Sequence, residues 1–206
     1  TATCGELAIM NYLSSKQVEV YGFQTTKAGR DLCGDAYFMK ATDDYFLCVL
    51  ADGLGSGEYA YYSSQAVAKV VKEQSDDDVD TLMDACNRAL YRKRGAAVAI
   101  FKACFKSRKF VYSCVGNIRF FMVAPGGKLT YPIPITGYLS GKPQQFKTEI
   151  FDYEPGSRFV IHSDGVKERN VQSFLKKCES IERIADRLKE QQTMDDDATF
   201  IIGSLQ

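Results

Sequence analysis

The stretch Phe46-Leu-Cys-Val-Leu-Ala-Asp-Gly-Leu-Gly-Ser-Gly57 changes character at one residue. Phe46 to Ala51 form an unbroken apolar run, which reads as a buried strand. Asp52 ends it, and a glycine-rich loop leads into a helical pattern over Glu58–Glu73. A carboxylate at the end of a buried strand costs desolvation free energy unless it is paired or binds a cation. The strand and its terminal aspartate therefore pose one question: what compensates the charge?

Moving outward, residues 36–41 and 45–51 read as a hairpin around Thr42-Asp43-Asp44. Residues 17–25 alternate, with Val18 and Val20 on one face. Further strands are expected at 96–105, 110–115 and 120–124. Pro125-Gly126-Gly127 is a tight turn into 128–131, and 146–153, 158–162 and 199–203 complete the set. Helical patterns are fewer. Over 79–93, Val79, Leu82, Met83, Cys86, Ala89 and Leu90 recur near a period of 3.6. Two shorter helices are expected at 171–177 and 181–189. Asp76-Asp77-Asp78 sits where carboxylates favour the start of the second helix. Many antiparallel strands with helices in pairs predict an α+β fold, a central antiparallel β-sandwich flanked by helices, over one domain, 1–206.

Composition narrows the class of function. Twenty-six basic residues balance twenty-six acidic ones, which argues against a nucleic-acid binder. No apolar run nears the roughly 18 residues that cross a membrane, so no membrane association is expected. Seven cysteines, odd in number and without C-x-x-C spacing, read as reduced, mostly buried thiols. They point to a reducing, cytoplasmic setting. The chain begins with Thr1 rather than Met.

Four aspartates stand at strand ends beside small residues. Asp35 follows Gly34, Asp52 precedes Gly53, Asp164 precedes Gly165, and Asp195-Asp196-Asp197 precedes the last strand. Each Asp-Gly alone can be a turn. Together, carboxylates converging from several strand ends form the hard-oxygen environment that Mg²⁺ and Mn²⁺ prefer. With His162 the only histidine, zinc is not expected. Gly53-Leu-Gly-Ser-Gly57 is not a dinucleotide loop, because the sixth position of G-x-G-x-x-G is Glu58. His162, in an alternating strand, reads as a packed residue.

Gly34-Asp35, Ala51-Asp52-Gly53, Ser163-Asp164-Gly165 and Asp196-Asp197-Ala198-Thr199 resemble, in order and spacing, the PPM family of type 2C metal-dependent Ser/Thr phosphatases. The ending Asp-Asp-x-Thr looks like the bacterial branch that regulates sigma factors. Cys33-Gly-Asp35, Lys93-Arg-Gly-Ala96, Val115-Gly-Asn-Ile-Arg-Phe120 and the 134–144 segment resemble the feedback phosphatases of the stressosome. The resemblance implies two Mn²⁺ or Mg²⁺ ions and phosphorylated protein substrates of the RsbS and RsbR types. Asp52 would bridge the ions, with the Gly53 carbonyl on one. Asp35 would serve the second, and Asp164 and Asp196 the first, with Asp197 the neighbouring alternative. Arg30 matches a phosphate-binding arginine of eukaryotic members and would clamp a phosphoryl group through two parallel hydrogen bonds. It also reads as an exposed arginine in a turn. Leu54 stands where many relatives carry a histidine thought to act as general acid, and Gly34 replaces an acidic residue. A monomer is expected. The 132–144 loop reads either as a dock for the protein substrate or as a structural connection. A non-catalytic phosphoprotein-binding module is the competing reading.

Overall fold

In the computed structural model, which describes residues 8–167 and 171–206, the strand that carries Phe46 to Asp52 is buried on both faces. This strand, β4 (Tyr45–Gly53), follows β1 (Ala8–Ser14), β2 (Val18–Thr25) and β3 (Asp35–Ala41). Its side chains alternate between two cores: Phe46, Cys48 and Leu50 join one, Leu47, Val49 and Ala51 the other. A strand sandwiched this way has no solvent face, which explains a run apolar at every position.

β4 pairs with β3 and with β5 (Ala96–Cys104), and β6 (Lys109–Val115) and β9 (Thr148–Asp152) complete one antiparallel sheet. The second sheet has the order β1-β2-β11-β10-β7-β8, with β7 (Arg119–Val123), β8 (Leu129–Thr130), β10 (Ser157–His162) and β11 (Ala198–Leu205). Between the sheets lies an aromatic core of Phe46, Phe101, Phe110, Phe120 and Phe159. Their ring centroids lie 4.8 to 6.0 Å apart in tilted contacts. Helices α1 (Glu58–Glu73) and α2 (Val79–Ala89) cover the outer face of the first sheet. α3 (Val171–Leu175) and α4 (Ile181–Glu190) cover that of the second. The expected helix-flanked sandwich is present.

The Asp76–Asp78 run behaves as expected, with Asp78 capping α2 by accepting the Thr81 N–H at 2.8 Å. Lys102 completes this connection from β5. Its Nζ donates to the carbonyls of Asp77 (2.7 Å), Asp76 (3.1 Å) and Ser75 (3.4 Å). Two elements differ from expectation. β1 is an edge strand with no consistently buried face, so its sequence lacks a clear alternation. α2 stops at Ala89 rather than 93, because the chain turns with Arg92 at φ 61 and Gly95 at φ 107 to enter β5. Cys33, Cys48, Cys86 and Cys114 are buried free thiols, while Cys178 is exposed. Cys4 lies outside the described residues. Among the described residues, no helix is long and apolar enough to cross a membrane.

Candidate metal centre

β3 and β4 run antiparallel in a register that sets Asp35 opposite Asp52. The other sheet delivers its carboxylates from strand ends too. Asp164 lies just beyond β10, and Asp196 and Asp197 just before β11, the strand paired with β10. All five aspartates line one cavity of about 190 Å³, together with Gly53, Leu54 and Gly55. Two antiparallel pairs, one per sheet, thus end at the same rim of the sandwich.

Hydrogen bonds across the sheets hold this rim. The buried Ser163 hydroxyl donates to Asp35 Oδ2 at 2.7 Å and accepts the Thr199 N–H at 3.0 Å. Asn117 Nδ2 donates to Asp164 Oδ2 at 2.6 Å. Asp197 uses both carboxylate oxygens on backbone, accepting from Lys27 N at 2.8 Å and Gly34 N at 2.6 Å. Asp197 therefore fastens the 27–34 loop to the start of β11. Asp196 is exposed, and its Oδ1 accepts only the neighbouring Asp197 N–H among the described residues.

The glycines after the aspartates serve packing. A Cβ on Gly53 would sit 2.0 Å from the Ala60 carbonyl oxygen of α1, and one on Gly165 would sit 1.9 Å from the Asp197 carbonyl oxygen. Both distances are far inside van der Waals contact, so the Asp-Gly pairs record close backbone approach rather than simple turns.

Electrostatically the cavity is a concentrated negative region. Burial pushes Asp35 up to about 7, with Asp197 and Asp164 adding repulsion and hydrogen bonds from Ser163 and Thr199 opposing the rise. Burial, then repulsion from Asp35, Asp164, Asp196 and Asp197, pushes Asp52 up to about 8. None of the five aspartates forms an ion pair among the described residues. Nor do any three acidic, histidine or cysteine side chains there already form a ready-made ligating cluster. An all-oxygen donor set with uncompensated charge fits hard divalent cations such as Mg²⁺ and Mn²⁺ and suits soft ions poorly.

The remaining candidates fall outside this cavity. Arg30 does not line it; its Nη1 lies 3.7 Å from where a Gly57 Cβ would be. His162 is buried, with Nδ1 2.9 Å from the Ser163 carbonyl oxygen, and burial lowers its pKa. With Arg119 it lines a separate cavity of about 560 Å³ that shares Asp164. The 132–144 segment is anchored rather than free. Leu139 is fully buried and exchanges backbone hydrogen bonds with Ala96, while Asn87 Oδ1 accepts from Gly141 N at 3.0 Å. Sequence reasoning did not single out Ser163 or Asn117 as supports. Only their adjacency to Asp164 and Gly116 was visible.

A helix-flanked double sheet with aspartates gathered at one rim defines a class. The family described as Stage II sporulation protein E (SpoIIE) matches residues 42–206, and the chain belongs to this family of type 2C phosphatase domains. Among its relatives, the phosphoserine phosphatase RsbX of Bacillus subtilis (strain 168) is 44% identical over 192 residues, 93% of this chain and 96% of that protein. A crystal structure of RsbX in complex with magnesium superposes with a TM-score of 0.93 at 42% identity, covering 96% of this chain and 100% of that one. A chain from a study of the bacterial stressosome, a modular system adapted to control secondary messenger signaling, superposes at a TM-score of 0.82. It is 25% identical, over 91% of this chain and 100% of that one.

Proposed function

We infer that this protein is a metal-dependent protein phosphatase that removes phosphate from serine or threonine residues of stressosome proteins. One observation carries the reading: Asp35, Asp52, Asp164 and Asp196, far apart in sequence, line a single cavity, and among the described residues none of them is ion-paired with a protein cation. The relationship to RsbX, named a phosphoserine phosphatase and solved with magnesium, supports the activity and the use of a divalent ion. The finer assignments are ours: two ions, RsbS- and RsbR-type substrates, a cytoplasmic setting, a monomer, and negative control of a stress sigma-factor pathway.

In this reading, Asp52 would ligate both ions and the Gly53 carbonyl one of them, Asp35 would serve the second, and Asp164 and Asp196 the first. Bound there, divalent ions would neutralise phosphoryl charge and lower the pKa of water enough to supply hydroxide near neutral pH. The chain's own groups do the rest. Ser163 orients the Asp35 carboxylate and Asn117 that of Asp164. Asp197, with both oxygens committed to backbone, shapes the loop rather than ligating. Leu54 lines the cavity and has no proton to give, so no side chain at that position protonates the leaving serine oxygen. The test is release of phosphate from a phosphoserine protein. Turnover should vanish with EDTA and return with Mn²⁺, and metal-independent turnover would sink the reading.

A further inference from the structure

We propose that Arg94 is a substrate-binding residue that takes the phosphoryl oxygens of the incoming ester at the glycine loop. The inference rests on the phosphatase reading above and names a residue that reading does not use.

Arg94 comes from the bend between α2 and β5, and that bend is fixed against the loop after β4. The Gly95 carbonyl accepts the Leu54 N–H at 3.0 Å, and Ala96 N donates to the Leu139 carbonyl at 3.0 Å. The guanidinium then lies on Gly55 itself. Its Nη1 is 2.7 Å from where a Gly55 Cβ would stand, and Gly55 lines the acidic cavity. A Cβ at position 55 would displace the end of this arginine, and Gly55 also holds φ +91, which disfavours a side chain.

The way Arg94 is held leaves its donors available. Its guanidinium carbon sits 5.1 Å from the Tyr59 ring centroid, over the face of a side chain that is 66% exposed. A guanidinium held over an aromatic face keeps N–H donors for an anion on its other side. Among the described residues Arg94 has no carboxylate partner in an ion pair. A phosphomonoester dianion entering a cavity lined by five aspartates needs positive charge at the mouth, and a planar fork matches two phosphoryl oxygens. Arg30 Nη1 lies 3.7 Å from where a Gly57 Cβ would stand, so a second guanidinium lies beside the same turn.

The experiment is steady-state kinetics of the full chain with Mn²⁺ on p-nitrophenyl phosphate and on a phosphoserine peptide, with inorganic phosphate as competitive inhibitor. For Arg94→Ala, KM for both esters and the phosphate Ki should rise about tenfold, with kcat nearly unchanged, and Arg94→Lys should recover part of the loss. Arg94→Gln repeats the measurement if the alanine variant melts lower. KM and Ki within twofold of wild type overturn the Arg94 assignment alone. A rise with the peptide but not with p-nitrophenyl phosphate or inorganic phosphate also overturns it, since the arginine would then read the peptide and not the phosphoryl group. Absence of Mn²⁺-dependent turnover in the wild type overturns both this assignment and the phosphatase reading.

Discussion

The Ser163 hydroxyl, wholly buried, donates to Asp35 Oδ2 at 2.7 Å and so joins one sheet to the other at the acidic cavity. The same oxygen accepts the Thr199 N–H, so it fixes the rim of β11 as well as the carboxylate. Ser163→Ala removes both bonds. The folded state should lose about 1–3 kcal/mol, the cost of leaving buried polar groups unpaired. A merely structural loss would leave the metal requirement unchanged. We instead expect the Mn²⁺ concentration for half-maximal turnover to rise about tenfold, as when the partner of a ligating carboxylate is removed. A metal titration of activity, run beside thermal melts, separates the two.

Asp52 should carry opposite effects on activity and on stability. Its folded pKa is about 8 and that of Asp35 about 7, against 3.8 for both as reference values. Between these limits the folded metal-free chain binds more protons than the unfolded one, so stability falls as pH rises. The contribution is full below about pH 4 and is lost as pH passes through 7 to 8. Asp52→Asn removes the charge. It should abolish turnover yet raise the melting temperature of the EDTA-treated protein at pH 8 by about 2–4 °C or more, the shift for about 1 kcal/mol in a chain of this size. As pH is lowered toward 4 and below, the two melting temperatures should converge. A metal-free variant less stable than wild type at pH 8 would contradict the electrostatic account.

The glycines predict a graded series. Gly165→Ala places a methyl group 1.9 Å from the Asp197 carbonyl oxygen, and Gly53→Ala places one 2.0 Å from that of Ala60. In both cases the obstacle is backbone, which cannot swing away. Each should destabilise by about 3 kcal/mol or more and displace a neighbouring aspartate, lowering activity beyond the loss of folded protein. Gly126→Ala meets nothing within 4 Å and should stay within about 0.5 kcal/mol of wild type. Chemical denaturation of the three variants checks the order.

Much of this was legible in the chain because burial writes itself into composition. β4 and β5 pass between two cores, so residues 46–51 and 96–101 are apolar at every position and the strands stand out. α1 begins where the glycine loop ends, and its bounds, Glu58–Glu73, match the sequence reading. β1 was missed because an edge strand with Ile9 and Tyr12 exposed has no buried face to impose alternation. The gathering of Asp35, Asp52, Asp164 and Asp196 was readable through repeated Asp-Gly pairs at strand ends. Their supports were not: Ser163 reaches Asp35 across 128 residues, and Asn117 reaches Asp164 across 47. Nor was it legible that Asp197 accepts the amides of Lys27 and Gly34, which the fold brings to it. Nothing local in the sequence announces partners set by sheet pairing.

Leu54 makes the last prediction. It lines the acidic cavity, and leucine has no proton to transfer. Rates for this protein should therefore depend steeply on the leaving group, with aryl phosphates far ahead of alkyl phosphates. Leu54→His places at that position a group of ordinary pKa about 6.5. Hydrolysis of phosphoserine esters, whose alkoxide leaves poorly, should gain about tenfold or more at pH 6, while p-nitrophenyl phosphate gains little. The gain should fade above about pH 7 as the imidazolium loses its proton. The alkyl-to-aryl rate ratio, followed against pH for both proteins, is the measurement. A ratio unchanged by the substitution would mean that protonation of the leaving oxygen does not limit the reaction, and that leucine costs the enzyme nothing.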